Sequence, residues 1–180
     1  ANGILASDTS IWNGNSYAHY VGEEFGGGVV FHIYKDGLGI EHGFIVSLID
    51  ISNSAQWGLD GVNVPNSESA WNGLSNTTAI ITAGGLPGDA AGLCDNYINA
   101  GFTDWYLPSV NEMSILWNNL YQVNTVLISI GGATEVGANN YWTSTETDAS
   151  NATLFWFNSG VSSSSSMKTN SMFVRAIRYF

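Results

Sequence analysis

Cationic side chains are scarce in this chain. Four Lys and Arg residues stand against 15 Asp and Glu in 180 residues, giving a net charge of −11. Such a chain repels phosphate backbones, which makes nucleic acid a poor partner, and it repels sulfated glycans and anionic lipid heads as well. Charged residues of both signs make up only 11% of the chain. Ser, Thr, Asn and Gly must therefore cover much of the surface. Cys94 is the one cysteine, which excludes an internal disulfide and a cysteine-built zinc site. Its spacing from Ala91 and Ile98 on an expected helix makes it a small buried apolar residue. No stretch approaches the roughly 18 unbroken apolar residues of a membrane helix, so no membrane insertion is expected. The chain opens at Ala1 with no signal-peptide pattern, and the expectation is a removed leader or a trimmed start.

What is present is enough for one packed core: 44% of the residues are hydrophobic and 13% of the chain is aromatic. Residues 1–24 are polar and Gly/Asn-rich and read as an arm or linker, with Ile11 and Trp12 docking onto the domain. Residues 25–180 read as the domain itself. Val29-Val30-Phe31-His32-Ile33-Tyr34 is β-branched and aromatic and predicts a strand. Lys35-Asp36-Gly37 is a turn signal, and the apolar run Gly43-Phe44-Ile45-Val46-Ser47-Leu48-Ile49 completes a hairpin. Residues 50–83 read as one long irregular loop, pinned by Trp57 and Trp71.

Asp89 predicts a helix running to about Asn99, with Ala91, Cys94 and Ile98 on its inner face. A second helix is better signalled. Ser109-Val110-Asn111-Glu112 is a capping box, and Met113, Leu116, Trp117 and Leu120 follow at helical spacing. Residues 141–146, 152–157 and 173–179 read as strands, with the serine-rich residues 159–166 as a loop between the last two. The order predicts an α+β fold with an antiparallel sheet, two helices and long irregular loops.

Most familiar chemistry is missing. Gly26-Gly27-Gly28 has no Lys-Ser/Thr and no helix after it, so it reads as a bend and not a phosphate loop. His19, His32 and His42 lack metal-ligand spacing. Glu146 and Asp148 share one polar segment and leave three readings open: an acid–base pair for glycoside hydrolysis, a calcium site with nearby oxygens, or a solvated turn.

Several segments, in order, resemble the C-terminal domain of the Lcl-type collagen-like adhesins, a family with relatives in gut bacteria and their phages. They include Val21-Gly22-Glu23, Gly27-Gly28-Val29-Val30-Phe31, His42-Gly43, Gln56-Trp57-Gly58 and Ala90-Ala91 with Cys94. The most specific is Gly101-Phe102-Thr103-Asp104-Trp105-Tyr106-Leu107-Pro108-Ser109 with Glu112-Met113. Tyr141-Trp142-Thr143-Ser144-Thr145-Glu146 and Val174-Arg175-Ala176-Ile177-Arg178 complete the set. The resemblance implies a C-type-lectin-like fold of the formylglycine-generating-enzyme branch. It implies that Trp105, Leu107 and Trp142 pin the core, that Pro108 fixes the approach to the second helix, and that Arg175 and Arg178 pair with acids or carbonyls. The chain departs from its relatives in chemistry. It lacks the cysteine pair that holds copper in the generating enzyme and the triplets that hold calcium in sugar-binding lectins.

The resemblance also implies a site. In this fold the segment before the last strand forms an exposed face, and some members carry it as a surface diversified by a retroelement. Residues 139–170 are rich in the small polar and aromatic residues of an adaptable binding surface. The candidate ligand-facing residues are Asn139, Asn140, Thr145, Thr147, Asp148, Ser150, Asn151, Thr153, Phe155, Phe157 and Asn158, then Ser162, Ser163, Ser164, Ser165, Ser166, Thr169 and Asn170. Strand alternation is read as turning Leu154 and Trp156 inward and Phe155 outward. The expected function is a non-enzymatic ligand- or receptor-binding domain at a cell surface or on a phage particle. Its partner would be a protein or glycan, its state monomer or homo-trimer, and it would need no cofactor beyond the calcium alternative. The other readings are a structural module of a pilus-like assembly and a glycan-acting enzyme built on Glu146 and Asp148.

Overall fold

The structure, a computed structural model, describes residues 16–180. Ile11 and Trp12 lie outside the described residues. Residues 16–24 of the expected arm are bound to the domain: Ala18 and His19 donate their backbone N–H groups to the Glu41 carboxylate at 2.6 and 2.9 Å. Gly22 and Val30 then enter the sheet ladder, with Gly22 N donating to Val30 O and Val30 N to Glu23 O, both at 2.8 Å.

The first sheet has four strands in the order β1-β2-β3-β9. These are β1 (Glu24–Phe25), β2 (Gly28–Lys35), β3 (Glu41–Ser47) and β9 (Ile177–Tyr179). The predicted hairpin is present, with β3 starting two residues earlier than its apolar run. The Asp36 carboxylate builds the turn by accepting from Leu38 N and Ile40 N, each at 2.9 Å. Gly26 and Gly27 both have positive φ, so the three-glycine run is the bend it was expected to be.

The second sheet has five strands in the order β4-β8-β5-β6-β7. They are β4 (Ser52–Ala55), β5 (Asn140–Glu146), β6 (Asn151–Trp156), β7 (Val161–Met167) and β8 (Met172–Val174). One pair in it, β5 with β8, is parallel. The expectation of a single antiparallel sheet is thus corrected to two sheets. The final run is not one strand. Arg175 and Ala176 interrupt it, and β8 and β9 belong to different sheets. The serine run is not a loop: it is β7, an edge strand paired only to β6.

Four helices are present among the described residues, not two: α1 (Gly73–Thr82), α2 (Ala90–Asp95), α3 (Val110–Asn118) and α4 (Leu120–Leu127). α1 and β4 lie within the stretch read as irregular. Asn72 caps α1 by accepting from Ser75 N at 2.9 Å. The helix begun at Ala90 stops at Asp95, leaving Ile98 outside it and 65% exposed. α3 starts with the predicted capping box: Ser109 accepts from Glu112 N, and Glu112 accepts from Ser109 N at 2.7 Å.

Two apolar clusters lie on the two faces of the second sheet. Trp142 and Leu154 join Trp57, Trp105, Leu107, Ile80 and Cys94 on one face. Tyr141, Phe155 and Phe157 join Phe31, Met113, Leu116 and Val123 on the other. The expected pins Trp105, Leu107 and Trp142 are each at most 2% exposed. Trp57 is a pin as expected. Trp71, 72% exposed, is not.

Candidate functional site

The few cations are spent on the interior. Arg178 forks onto Asp104, with Nε to Oδ1 at 2.7 Å and Nη2 to Oδ2 at 2.8 Å. Arg175 reaches Asp50 at 3.0 Å, Ser47 O at 2.7 Å and Thr134 O at 3.0 Å. Lys168 pairs with Glu146 and donates to Val62 O at 2.8 Å, with its ammonium 4.6 Å from the Trp57 ring centroid. Lys168 and Arg175 are fully buried and Arg178 is 7% exposed. Of the four cationic residues in the chain, only Lys35 is left outside the core. The surface therefore has almost nothing with which to attract an anionic ligand.

Glu146 is not in a solvated turn. It is 3% exposed, and besides Lys168 it accepts from Val64 N at 2.9 and 3.0 Å and from Ser67 Oγ at 3.2 Å. The reason is its place at the inner end of β5, where Lys168 offers a counter-charge that the sequence does not place beside it. Asp148 does form an exposed turn. It accepts from Ser150 N and Asn151 N, each at 2.8 Å, and these bonds hold its carboxyl below the usual carboxylate range. The two carboxylates thus serve separate structural tasks.

Residues 139–170 divide into interior and surface. Thr145, Thr153, Phe155, Phe157 and Ser166 are all buried, at 8% exposure or less. These five positions are corrected: they cannot face a ligand. Phe155 points inward because the sheet has no solvent face at its centre; clusters cover both sides of β6. Leu154 is buried as predicted. Trp156 reverses the expectation and is 38% exposed, since it sits at the strand end beyond the cluster that covers Leu154. Asn140, Thr147, Asp148, Ser150, Asn158, Ser162, Ser164, Ser165 and Thr169 are exposed; Asn139, Asn151, Ser163 and Asn170 are half-buried.

One part of this surface is concave. A hollow of about 340 Å³ is lined by Asn53, Asn139, Asn140, Ser171, Met172 and Phe173, with Ala138 at its edge. Asn140 is the cross-strand partner of Trp156, and Trp156 is the partner of Val161. Direct partners project from the same face, so an exposed indole stands beside the hollow. The asparagines here differ from those that brace the fold. The amides of Asn72, Asn76, Asn96, Asn99, Asn118, Asn119, Asn124 and Asn151 are each engaged by named hydrogen bonds. The side chains of Asn53, Asn139, Asn140 and Ser171 are free of such bonds within the described residues. Asn53 and Ser171 were not singled out in the sequence. Only the fold brings β4 beside β8.

Residues 48–178 match the sequence profile of the Lcl C-terminal domain. The chain belongs to the Lcl C-terminal domain family. The match takes in the hollow, Trp156 and the ion pairs of all three interior cations. A solved fimbrial protein from Bacteroides ovatus ATCC 8483 has the same fold over 78% of this chain, with a TM-score of 0.57 and 19% sequence identity. This Lcl-type chain spans 36% of that protein. No curated protein matches the sequence.

Proposed function

We propose that this Lcl-type domain is a non-catalytic, adhesin-like binding module displayed at a cell surface, and that its ligand is an uncharged glycan seated on the Asn53–Asn140 hollow. The observation that carries the reading is the set of unengaged amides beside an exposed indole. Amides supply paired donors and acceptors for hydroxyl groups, and a rigid ring supplies flat apolar area. Burial of three of the four cations argues for a neutral ligand over a sulfated one. Family membership and the fold likeness to a fimbrial protein support display outside the cell. We read the two-sheet, four-helix arrangement as C-type-lectin-like. In this reading the exposed positions Thr147, Ser150, Asn158 and those of β7 are the ones a retroelement would be free to diversify. Sequencing the gene's flanks for a reverse transcriptase and a template repeat tests that part.

Glycan-array binding followed by titration calorimetry tests the main reading. Trp156→Ala and Asn140→Ala should each abolish or strongly weaken binding to a neutral oligosaccharide while leaving the melting temperature near that of the parent. Undiminished binding in both variants would place the ligand elsewhere.

A second reading is favoured by one observation. The outer edge of β7 is seven residues long and carries neither charge nor proline, although sheet edges are commonly guarded by both. Such an edge accepts a strand from a neighbour in an assembly. Sedimentation of the parent and of Ser164→Pro separates this from the binding module, because only an edge-paired assembly would dissociate on that change.

A further inference from the structure

Two glutamates are buried among the described residues, and they differ in one respect. Glu146 has Lys168 as its counter-ion. Glu112, 4% exposed, has none. Its Oε2 accepts from Ser109 N at 2.7 Å and Gly73 N at 3.1 Å, and its Oε1 accepts from Tyr106 Oη at 3.2 Å. All three donors are neutral. Each of the three interior cations already has a carboxylate of its own. Burial pushes the Glu112 carboxyl above the usual range, against the pull of these hydrogen bonds.

Glu112 also lines a hollow of about 430 Å³ whose other walls are Phe44, Trp71, Asn72, Leu74, Tyr106 and Tyr179. Four of those walls are aromatic. Trp71 is 72% and Leu74 51% exposed, so they stand over the hollow without packing of their own. The Tyr179 ring lies 5.8 Å from Phe44 and 5.3 Å from His42, which extends the aromatic wall along the outer face of the first sheet. This volume is within the range of small-ligand sites. It is built from residues that the Asn53–Asn140 hollow does not share.

Aromatic rings and a carboxylate that line one cavity attract the same thing, a weakly hydrated positive charge. A metal ion fits poorly, because no group of three His, Cys, Asp or Glu side chains converges anywhere among the described residues. A neutral ligand would leave the carboxylate as it is. We infer that this hollow binds a small organic ammonium ion, its charge directed at Glu112 and its carbon substituents against Phe44, Trp71 and Tyr179.

Choline and n-butylammonium, titrated against the whole chain by NMR, test this with 3,3-dimethylbutanol and 1-pentanol as neutral counterparts. The ammonium ions should bind saturably and shift the Trp71 indole signal, and the alcohols should not. Glu112→Gln keeps a side chain able to complete a capping box and should weaken binding on the order of tenfold, a loss of about 1.4 kcal/mol. Trp71→Ala removes an exposed ring and should weaken binding severalfold without loss of fold. Trp156→Ala should change nothing here, which separates this site from the glycan face. Equal binding of alcohol and ammonium, unchanged affinity in Trp71→Ala, or no saturable binding by either ion overturns the inference, and none of these results depends on how Glu112→Gln folds.

Discussion

The Lys168 ammonium and the Glu146 carboxylate meet at 2.5 Å with both side chains sealed from solvent. They join the end of β7 to the end of β5, and Glu146 ties both to the loop through Val64 and Ser67. The pair thus holds the C-terminal sheet and the loop after β4 together.

Removing either charge alone leaves its partner buried without compensation. Glu146→Gln or Lys168→Met is expected to cost roughly 3–5 kcal/mol in urea unfolding. The double variant should lose less than the sum of the two. A strictly additive cycle would show that the two charges are not coupled.

The corrected facing of β6 gives a second expectation. Phe155→Ala removes a fully packed ring and should cost roughly 3–5 kcal/mol. Ser164→Ala, on the exposed edge strand, should stay within about 0.5 kcal/mol of the parent. Thermal melts of the two side by side check this. Similar melting temperatures would mean that Phe155 is not core.

Gly160 has φ +72°, and a Cβ there would lie 2.5 Å from the Trp117 ring. The indole is held in place by its bond to Phe157 O at 3.1 Å. Gly160→Ala should therefore destabilise by about 1–3 kcal/mol. Crystallography of the variant should show the Trp117 ring displaced, and an undisturbed ring with parental stability would contradict this.

Two carboxylates respond to acid in opposite senses. The Asp104 carboxyl is held below its ordinary 3.8 by Arg178, so its contribution is present above that pH and fades as pH falls through the depressed value. The Glu112 carboxyl lies above its ordinary 4.5 because of burial. The folded state therefore keeps that proton longer than the unfolded chain does. Its contribution is greatest below 4.5 and declines as pH rises through the elevated value. Glu112→Gln should remove the decline on the rising side, and Asp104→Asn the loss on the acid side. Denaturant midpoints measured across this range decide each. A Glu112→Gln profile parallel to the parent's would show that the group does not titrate as described.

The local signals in the sequence were reliable where chemistry is local. The capping box at Ser109, the turn at Asp36 and the bend at Gly26 and Gly27 each depend on a few adjacent residues, and each is present. Failures came where the answer lies across the fold. Phe155 and Trp156 were turned the wrong way because alternation says that two faces differ, not which is covered; here both are, until the strand outruns its cover. None of the three sequence readings of Glu146 includes a buried ion pair, because its counter-ion is 22 positions away. Arg175 and Ala176 read as strand because nothing in them signals that the chain changes sheets there. The hollow was half visible through Asn139 and Asn140. Its other half depends on β4 meeting β8, a pairing with no signature in the sequence.

The placement of the cations bears on how the folded domain withstands proteolysis. Trypsin-like proteases cut after lysine or arginine and need the bond in an extended, accessible form. Lys168, Arg175 and Arg178 are interior, and residues 1–15 contain neither type. The folded chain offers such an enzyme one peptide bond, Lys35–Asp36, and that bond leads into a turn fastened by the Asp36 carboxylate itself.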